Sequence, residues 1–162
     1  MPEEKPASQK NEPFDEPPLE EIKGISQGHV GAMKVMDEDI VWVGAGMKQL
    51  LLRTVGRKSG KEHEVALPYW IDEDGERVVA ASYAGNATHP AWYLNLTDRN
   101  KNGEVFVKTQ KLEYWADPEI LDGGEYDRVW AELCADRPYY ADYQTRCERR
   151  IPLVKLVEKR PA

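Results

Sequence analysis

Three cations crowd one glycine-bounded turn. In Gly56-Arg57-Lys58-Ser59-Gly60-Lys61, positive charge sits on or beside a bend between two apolar runs. Turn N–H groups line anion-binding concavities, and an arginine adds a forked donor suited to phosphate or carboxylate. A solvated hairpin turn has the same pattern. It is not a Walker A loop: the spacing from Gly56 to the Gly-Lys pair is one residue short, no Ser or Thr follows Lys61, and a strand follows where a helix is needed. A second candidate is Ala81-Ser82-Tyr83-Ala84-Gly85. Its small residues let a planar ring lie close to the backbone, and Ser82 offers a hydroxyl; a plain turn is the alternative. His89-Pro90-Ala91-Trp92-Tyr93 then opens a helix whose first N–H groups favour an anion. Trp92 and Leu96, four apart, read first as core. In Arg137-Pro138-Tyr139-Tyr140-Ala141-Asp142-Tyr143, three tyrosines supply flat walls and weak acids. Tyr140 and Tyr143 share a helical face, where a phenol can protonate a developing oxyanion or enolate; a packing helix is the alternative. His63 and His89 lack partners at metal spacing, so no metal site is expected. No Ser-His-Asp order or nucleophile elbow occurs.

The elements that must position these residues are mostly strands. Residues 49–55 suit a buried strand, 56–60 a turn and 62–71 a second strand. Asp72-Glu73-Asp74-Gly75 is a hairpin turn, and 78–82 a third strand. Thr88 is an expected N-cap, with Pro90 in the first turn of a helix through Leu96. Residues 104–108 and 111–115 form another hairpin. Residues 124–135 read as an amphipathic helix with Tyr126, Val129, Trp130 and Leu133 on one stripe. A second helical piece covers 138–147, and 151–157 is a closing strand. Upstream, 29–36 has helical character, 40–43 is a β-prone run, and Gly44 and Gly46 mark a turn. Hairpin-linked strands with a few helices predict an α+β, mainly β chain, a small barrel rather than a doubly wound sheet.

The 162 residues suit one domain. The net charge of −7 is uneven: residues 1–39 carry ten acids and four bases, the remainder nineteen acids and eighteen bases. The folded part is nearly neutral, which argues against nucleic acid and anionic membrane surfaces as partners. Residues 1–21, rich in Pro, Glu and Lys, are expected to form a disordered or loosely attached acidic arm, and 22–162 the single domain. No transmembrane run or secretory signal is read. Cys134 and Cys147 lack zinc or CxxC spacing and fit a reduced, cytoplasmic compartment.

In this order, LLLRTVGRKSGK, VVAAS, HPAWYLNL, PYYADYQ and IPLVKL resemble the deazaflavin-dependent nitroreductase family over about residues 44–158. The resemblance implies a split β-barrel with flanking helices and coenzyme F420, an 8-hydroxy-5-deazaflavin with an anionic phospholactyl-oligoglutamate tail. It implies that Arg57, Lys58, Ser59, Gly60 and Lys61 hold the tail. Backbone at Leu52, Arg53 and Thr54 and at Ala81, Ser82, Tyr83, Ala84 and Gly85 borders the ring, and Trp92 and Asn95 line or support the groove. Tyr140 and Tyr143 face the substrate as the catalytic pair, Tyr140 first, with Tyr139 and Tyr69 on the substrate side. The chain departs from the family pattern at His63 and Tyr83, where Arg and Lys or Asn are common, and at Ala84, where Gly is. At Arg137 the nitroimidazole-activating member has a tyrosine.

The expected activity is hydride transfer from reduced F420 to a quinone, an enone or a nitro compound. A flavin mononucleotide (FMN)-dependent split-barrel oxidoreductase and a non-catalytic coenzyme carrier are the alternatives. Monomer and homodimer both fit the sequence.

Overall fold

The computed structural model describes Glu3, residues 28–44 and residues 47–162. The expected arm, Glu3 apart, and Gly46 of the expected turn lie outside the described residues. Strand β2 (Met47–Val55) is the frame. Leu50 and Leu52 face the barrel interior, while Leu51 faces a second cluster with Val30, Met33 and Trp42. Both faces are covered, so the run is apolar throughout rather than alternating. Burying each leucine contributes about 1.5–3 kcal/mol.

β3 (Glu62–Pro68) pairs antiparallel with β2 from Gln49↔Pro68 to Val55↔Glu62, so the basic turn closes this hairpin. On its other side β2 pairs with β6 (Val105–Lys108), and the order continues through β7 (Glu113–Ile120), β8 (Leu153–Pro161) and β5 (Arg77–Ala80) to β4 (Trp70–Ile71). Tyr69 alone separates β3 from β4. The chain therefore leaves β2 and joins β5 within one residue, and the sheet returns on itself around Leu50, Leu52, Val79, Val107, Tyr114, Val154 and Leu156. Two helices, α4 (Gly123–Asp136) and α5 (Tyr139–Thr145), cover the outer face at Trp70, Val78 and Leu153. The result is a split β-barrel with flanking helices, the expected fold.

Local departures have local causes. The β-prone run 40–43 is instead the helical turn α2 (Asp39–Trp42), followed by a two-residue β1 (Val43–Gly44) that pairs with β2. Val41 and Trp42 are adjacent yet share one cluster, and Trp42 Nε1–H donates to the Met36 carbonyl. Strand alternation would have sent them to opposite faces. The helix around 29–36 is observed over residues 28–33, here α1. The strand expected over 62–71 breaks after Pro68: Tyr69 N–H still donates to the Lys48 carbonyl, and from Trp70 the chain pairs with β5 instead. Thr88 is not the cap of α3 (Ala91–Leu96): Pro90 holds that position, and Thr88 bonds Asn86 instead.

Candidate functional site

Two turns lie at the ends of α3. The basic turn is closed by Gly56 N–H to the Lys61 carbonyl (2.7 Å) and Gly60 N–H to the Gly56 carbonyl (2.9 Å). Gly60 has φ 69°, in the left-handed region. A Cβ at Gly56 would lie 2.5 Å from Ser59 Oγ and 2.9 Å from His63 Nε2, so these two exposed side chains would have to turn aside to admit one. Beneath it stand two buried asparagines. Asn95 Oδ1 accepts from Arg57 N–H (3.2 Å) and from Arg57 Nη1 (3.1 Å), and its Nδ2 donates to Thr54 Oγ1. Asn102 donates to the carbonyls of Val55 and Asn95 and accepts from Val55 N–H. Lys101 Nζ donates to the Arg57 carbonyl at 2.8 Å and adds a cation beside the turn. Sequence reasoning missed Asn102 and Lys101: within Thr97–Glu104 they read as an ordinary polar loop, and nothing in a single sequence separates a fully buried asparagine from a solvated one.

Among the described residues, none of Arg57, Lys58, Lys61 and Lys101 pairs with a carboxylate. Arg53 differs. It lies 4.4 Å from the Phe106 ring and 3.7 Å from a Glu64 oxygen, so its charge is balanced within the sheet. Leu52 faces the interior, and only Thr54 of the three reaches the asparagine network.

The second turn follows β5. Tyr83 and Ala84 have φ 46° and 52°, and Gly85 has φ 77°. The two side-chain-bearing residues cost about 1–2 kcal/mol each in that region. A Cβ at Gly85 would lie 2.7 Å from the Tyr143 carbonyl oxygen and 2.9 Å from Arg146 Cβ. This close approach seats α5 directly on the turn, and Ala84 packs into the cluster that holds Tyr140 and Tyr143. Helix α3 bridges the two turns, with Pro90 at its start and Asn95 one turn in. That is on the order of 8 Å along the axis at 1.5 Å per residue. Trp92 points into the barrel interior and carries the helix.

The three tyrosines of α5 form one ring cluster: Tyr139–Tyr140 centroids are 4.6 Å apart, Tyr139–Tyr143 5.5 Å and Tyr140–Tyr143 6.0 Å. Tyr140 and Tyr143 are 4 % and 7 % exposed. The Tyr139 hydroxyl donates to Met47 Sδ at 2.6 Å. Burial pushes the Tyr140 phenol up, opposed by the Arg137 guanidinium beside it, and burial followed by the Tyr140 neighbour pushes Tyr139 up. Both stay protonated and can donate. Tyr69 sits apart, in the barrel interior rather than the outer cluster. Its hydroxyl donates to Glu3 Oε2 at 2.8 Å, and burial and then Glu3 push its ionisation up. Of the expected substrate-side tyrosines, the fold gathers three and leaves the fourth on the opposite face of the sheet.

The basic turn presents cations that can hold an anion, and the turn after β5 packs its backbone against α5. Residues 29–158 match the family model described as F420H(2)-dependent quinone reductase. The chain is similar to an F420H(2)-dependent quinone reductase of Mycobacterium tuberculosis, at 31 % identity over 144 residues, covering 81 % of this chain and 94 % of that protein. Among solved structures, a protein described as an F420-H2 dependent reductase superposes with a TM-score of 0.55 at 33 % identity, over 67 % of this chain and 92 % of the other. A structure described as a domain-swapped dimer gives 0.58 at 30 % identity, over 83 % and 91 %. No helix among the described residues is long and apolar enough to cross a membrane.

Proposed function

This chain belongs to the F420H(2)-dependent quinone reductase family, an F420H2-dependent reductase with coenzyme F420 as its cofactor, and from that premise we propose that it reduces quinones and, more widely, enones or nitro compounds. The observation that carries the reading is the basic turn: four cations with no carboxylate partner among the described residues, in a chain of net charge −7, on a turn held by two buried asparagines. A polyanionic tail supplies what the chain withholds.

When bound, the reduced coenzyme supplies a hydride to the substrate. The protein's part is placement. Arg57, Lys58, Ser59, Gly60 and Lys61 hold the tail, with Lys101 extending the positive field and Asn95 fixing the Arg57 guanidinium. The backbone of Ala81, Ser82, Tyr83, Ala84 and Gly85 and that of Leu52, Arg53 and Thr54 would border the coenzyme's ring. Trp92 supports the groove from the core. Tyr140, kept protonated by burial, donates a hydrogen bond or proton to the substrate oxygen as charge develops there. Tyr143 orients it, and Tyr139 completes the substrate side; Tyr69, on the opposite face of the sheet, lies outside it. The free thiols of Cys134 and Cys147 support a reducing, cytoplasmic setting. The domain-swapped relative supports a homodimer.

Parallel fluorescence titrations with F420 and FMN test the cofactor, followed by coenzyme oxidation across quinones, enones and nitro compounds. The reading expects F420 binding and quinone-dependent turnover. Tighter binding of FMN would overturn it, and tight F420 binding with no turnover on any acceptor would leave a carrier. Tyr140→Phe should lower kcat by roughly 100-fold while leaving coenzyme affinity in place. Equal losses in both would remove Tyr140 from the substrate side.

A further inference from the structure

Arg149 lies on the connection between α5 and β8, and its guanidinium is devoted to a single turn. Nη2 donates to the Ser82 carbonyl at 2.7 Å, Nη1 to the Ala81 carbonyl at 3.0 Å and Nε to the Asn86 carbonyl at 3.0 Å. Nη1 also lies 3.2 Å from His89 Nδ1. A donor faces that nitrogen, so Nδ1 accepts and the neutral imidazole carries its proton on Nε2. One side chain thus grips both ends of the strained segment and His89, two residues before α3.

The segment needs a grip. Tyr83 and Ala84 hold left-handed backbone that a side chain disfavours, and neither is glycine. The consequence follows from peptide geometry. A trans peptide carries C=O and N–H on opposite edges, and none of the described peptides is cis. With the Ala81 and Ser82 carbonyls aimed at Arg149, the Ser82 and Tyr83 amides face away from it. Ser82 is right-handed (φ −76°, ψ −39°) and Tyr83 left-handed, the succession in which consecutive N–H groups converge on one acceptor.

Resting on the coenzyme site proposed above, we infer that Arg149 is a positioning residue: it holds the Ser82–Gly85 turn so that these amides meet an electron-rich carbonyl edge of the bound heterocycle. A lysine cannot replace it, because three carbonyls require the planar fork.

The experiment uses the full chain with Arg149→Ala, Arg149→Lys, Ala84→Gly and the Arg149→Ala/Ala84→Gly pair. Each is read by F420 fluorescence titration, by amide hydrogen exchange over residues 82–86 without coenzyme, and by steady-state kinetics. Arg149→Ala should weaken F420 binding about tenfold, as the loss of a charged clamp predicts, and raise exchange in the turn. KM for the quinone at saturating coenzyme should stay unchanged. Arg149→Lys should recover little. The double variant should regain about threefold, because glycine adopts the left-handed turn without strain. Wild-type affinity in Arg149→Ala, full recovery with lysine, unchanged exchange, or no recovery in the double variant each overturn the inference. Should Arg149→Ala fail to fold, the lysine variant carries the same readouts. If the wild-type chain itself binds no F420, the coenzyme site falls and this inference with it. If it binds and Arg149→Ala binds equally, only the role of Arg149 falls.

Discussion

At the end of β2, Arg57, Lys58 and Lys61, joined by Lys101, have no carboxylate partner among the described residues. At its start, and across β4, β5 and β8, charge is balanced pair by pair. Lys48 lies 2.5 Å from Glu3, Arg77 lies 3.2 Å from the same carboxylate, and Lys155 lies 3.0 Å from Asp72 and 3.2 Å from Glu125. Burial explains the difference for Arg77 and Lys155, whereas Lys48 is exposed and pairs all the same. Arg77 and Lys155 are 1 % and 5 % exposed, and a buried charge without a partner costs several kcal/mol. Lys58 and Lys61 are exposed, where water solvates an unpaired cation at little cost. Cations matched inside the chain serve the fold; cations left to solvent are available to a ligand.

The contrast breaks if the two ends respond alike to substitution. The largest effect is expected at Asp72, fully buried, which accepts from Asp74 N–H and Glu76 N–H as well as pairing Lys155. Asp72→Ala should cost about 3–5 kcal/mol of stability in denaturant melts, with the coenzyme affinity of the folded protein unchanged. Asn102→Ala is next and sharpens the comparison, because it joins both properties. Loss of its three hydrogen bonds should cost about 2–3 kcal/mol and also weaken F420 binding, since it supports Asn95 and Val55 under the turn. If stability falls and binding does not, the turn is held from elsewhere.

Arg57→Ala is expected to do the reverse of Asp72→Ala. F420 affinity should drop about tenfold, or about 1.4 kcal/mol, with the melt nearly unchanged. The deficit should shrink as salt rises, because wild-type binding at this surface is screened; a salt-independent loss would mean lost packing rather than lost charge. The smallest effect concerns acid. Burial alone would raise the Glu3 carboxyl, but hydrogen bonds from Lys48 and Tyr69 and the charges of Lys48 and Arg77 outweigh it and hold the group below its ordinary 4.5. A carboxyl lowered in the folded state adds stability that is fully present above its unfolded value and lost as pH falls through its folded one. Glu3→Gln should therefore flatten the stability curve below about pH 4.5 and leave it parallel to wild type near neutrality.

The basic turn could be read from its letters because glycine spacing, charge and a flanking apolar run are local signals. The same holds for the amphipathic stripe Tyr126, Val129 and Leu133, which lies buried along α4. Asn102 and Arg149 gave no such signal. Asn102 reaches Val55 across 47 positions and Arg149 reaches Ser82 across 67, and no periodicity spans such separations. The helical turn at Asp39–Trp42 was hidden for a related reason: its apolar letters suit a strand, and only the cluster that receives both Val41 and Trp42 selects the helix.

Sequence alone determined where this protein bends, which runs are apolar on both sides, and where cations and phenols concentrate, because these depend on neighbours along the chain. Tertiary structure decided which cations are neutralised, which tyrosines share a face, and how a strained turn after β5 is held by an arginine from the far end of the chain. Those outcomes depend on burial and on hydrogen bonds between distant residues, which exist only once the barrel has closed.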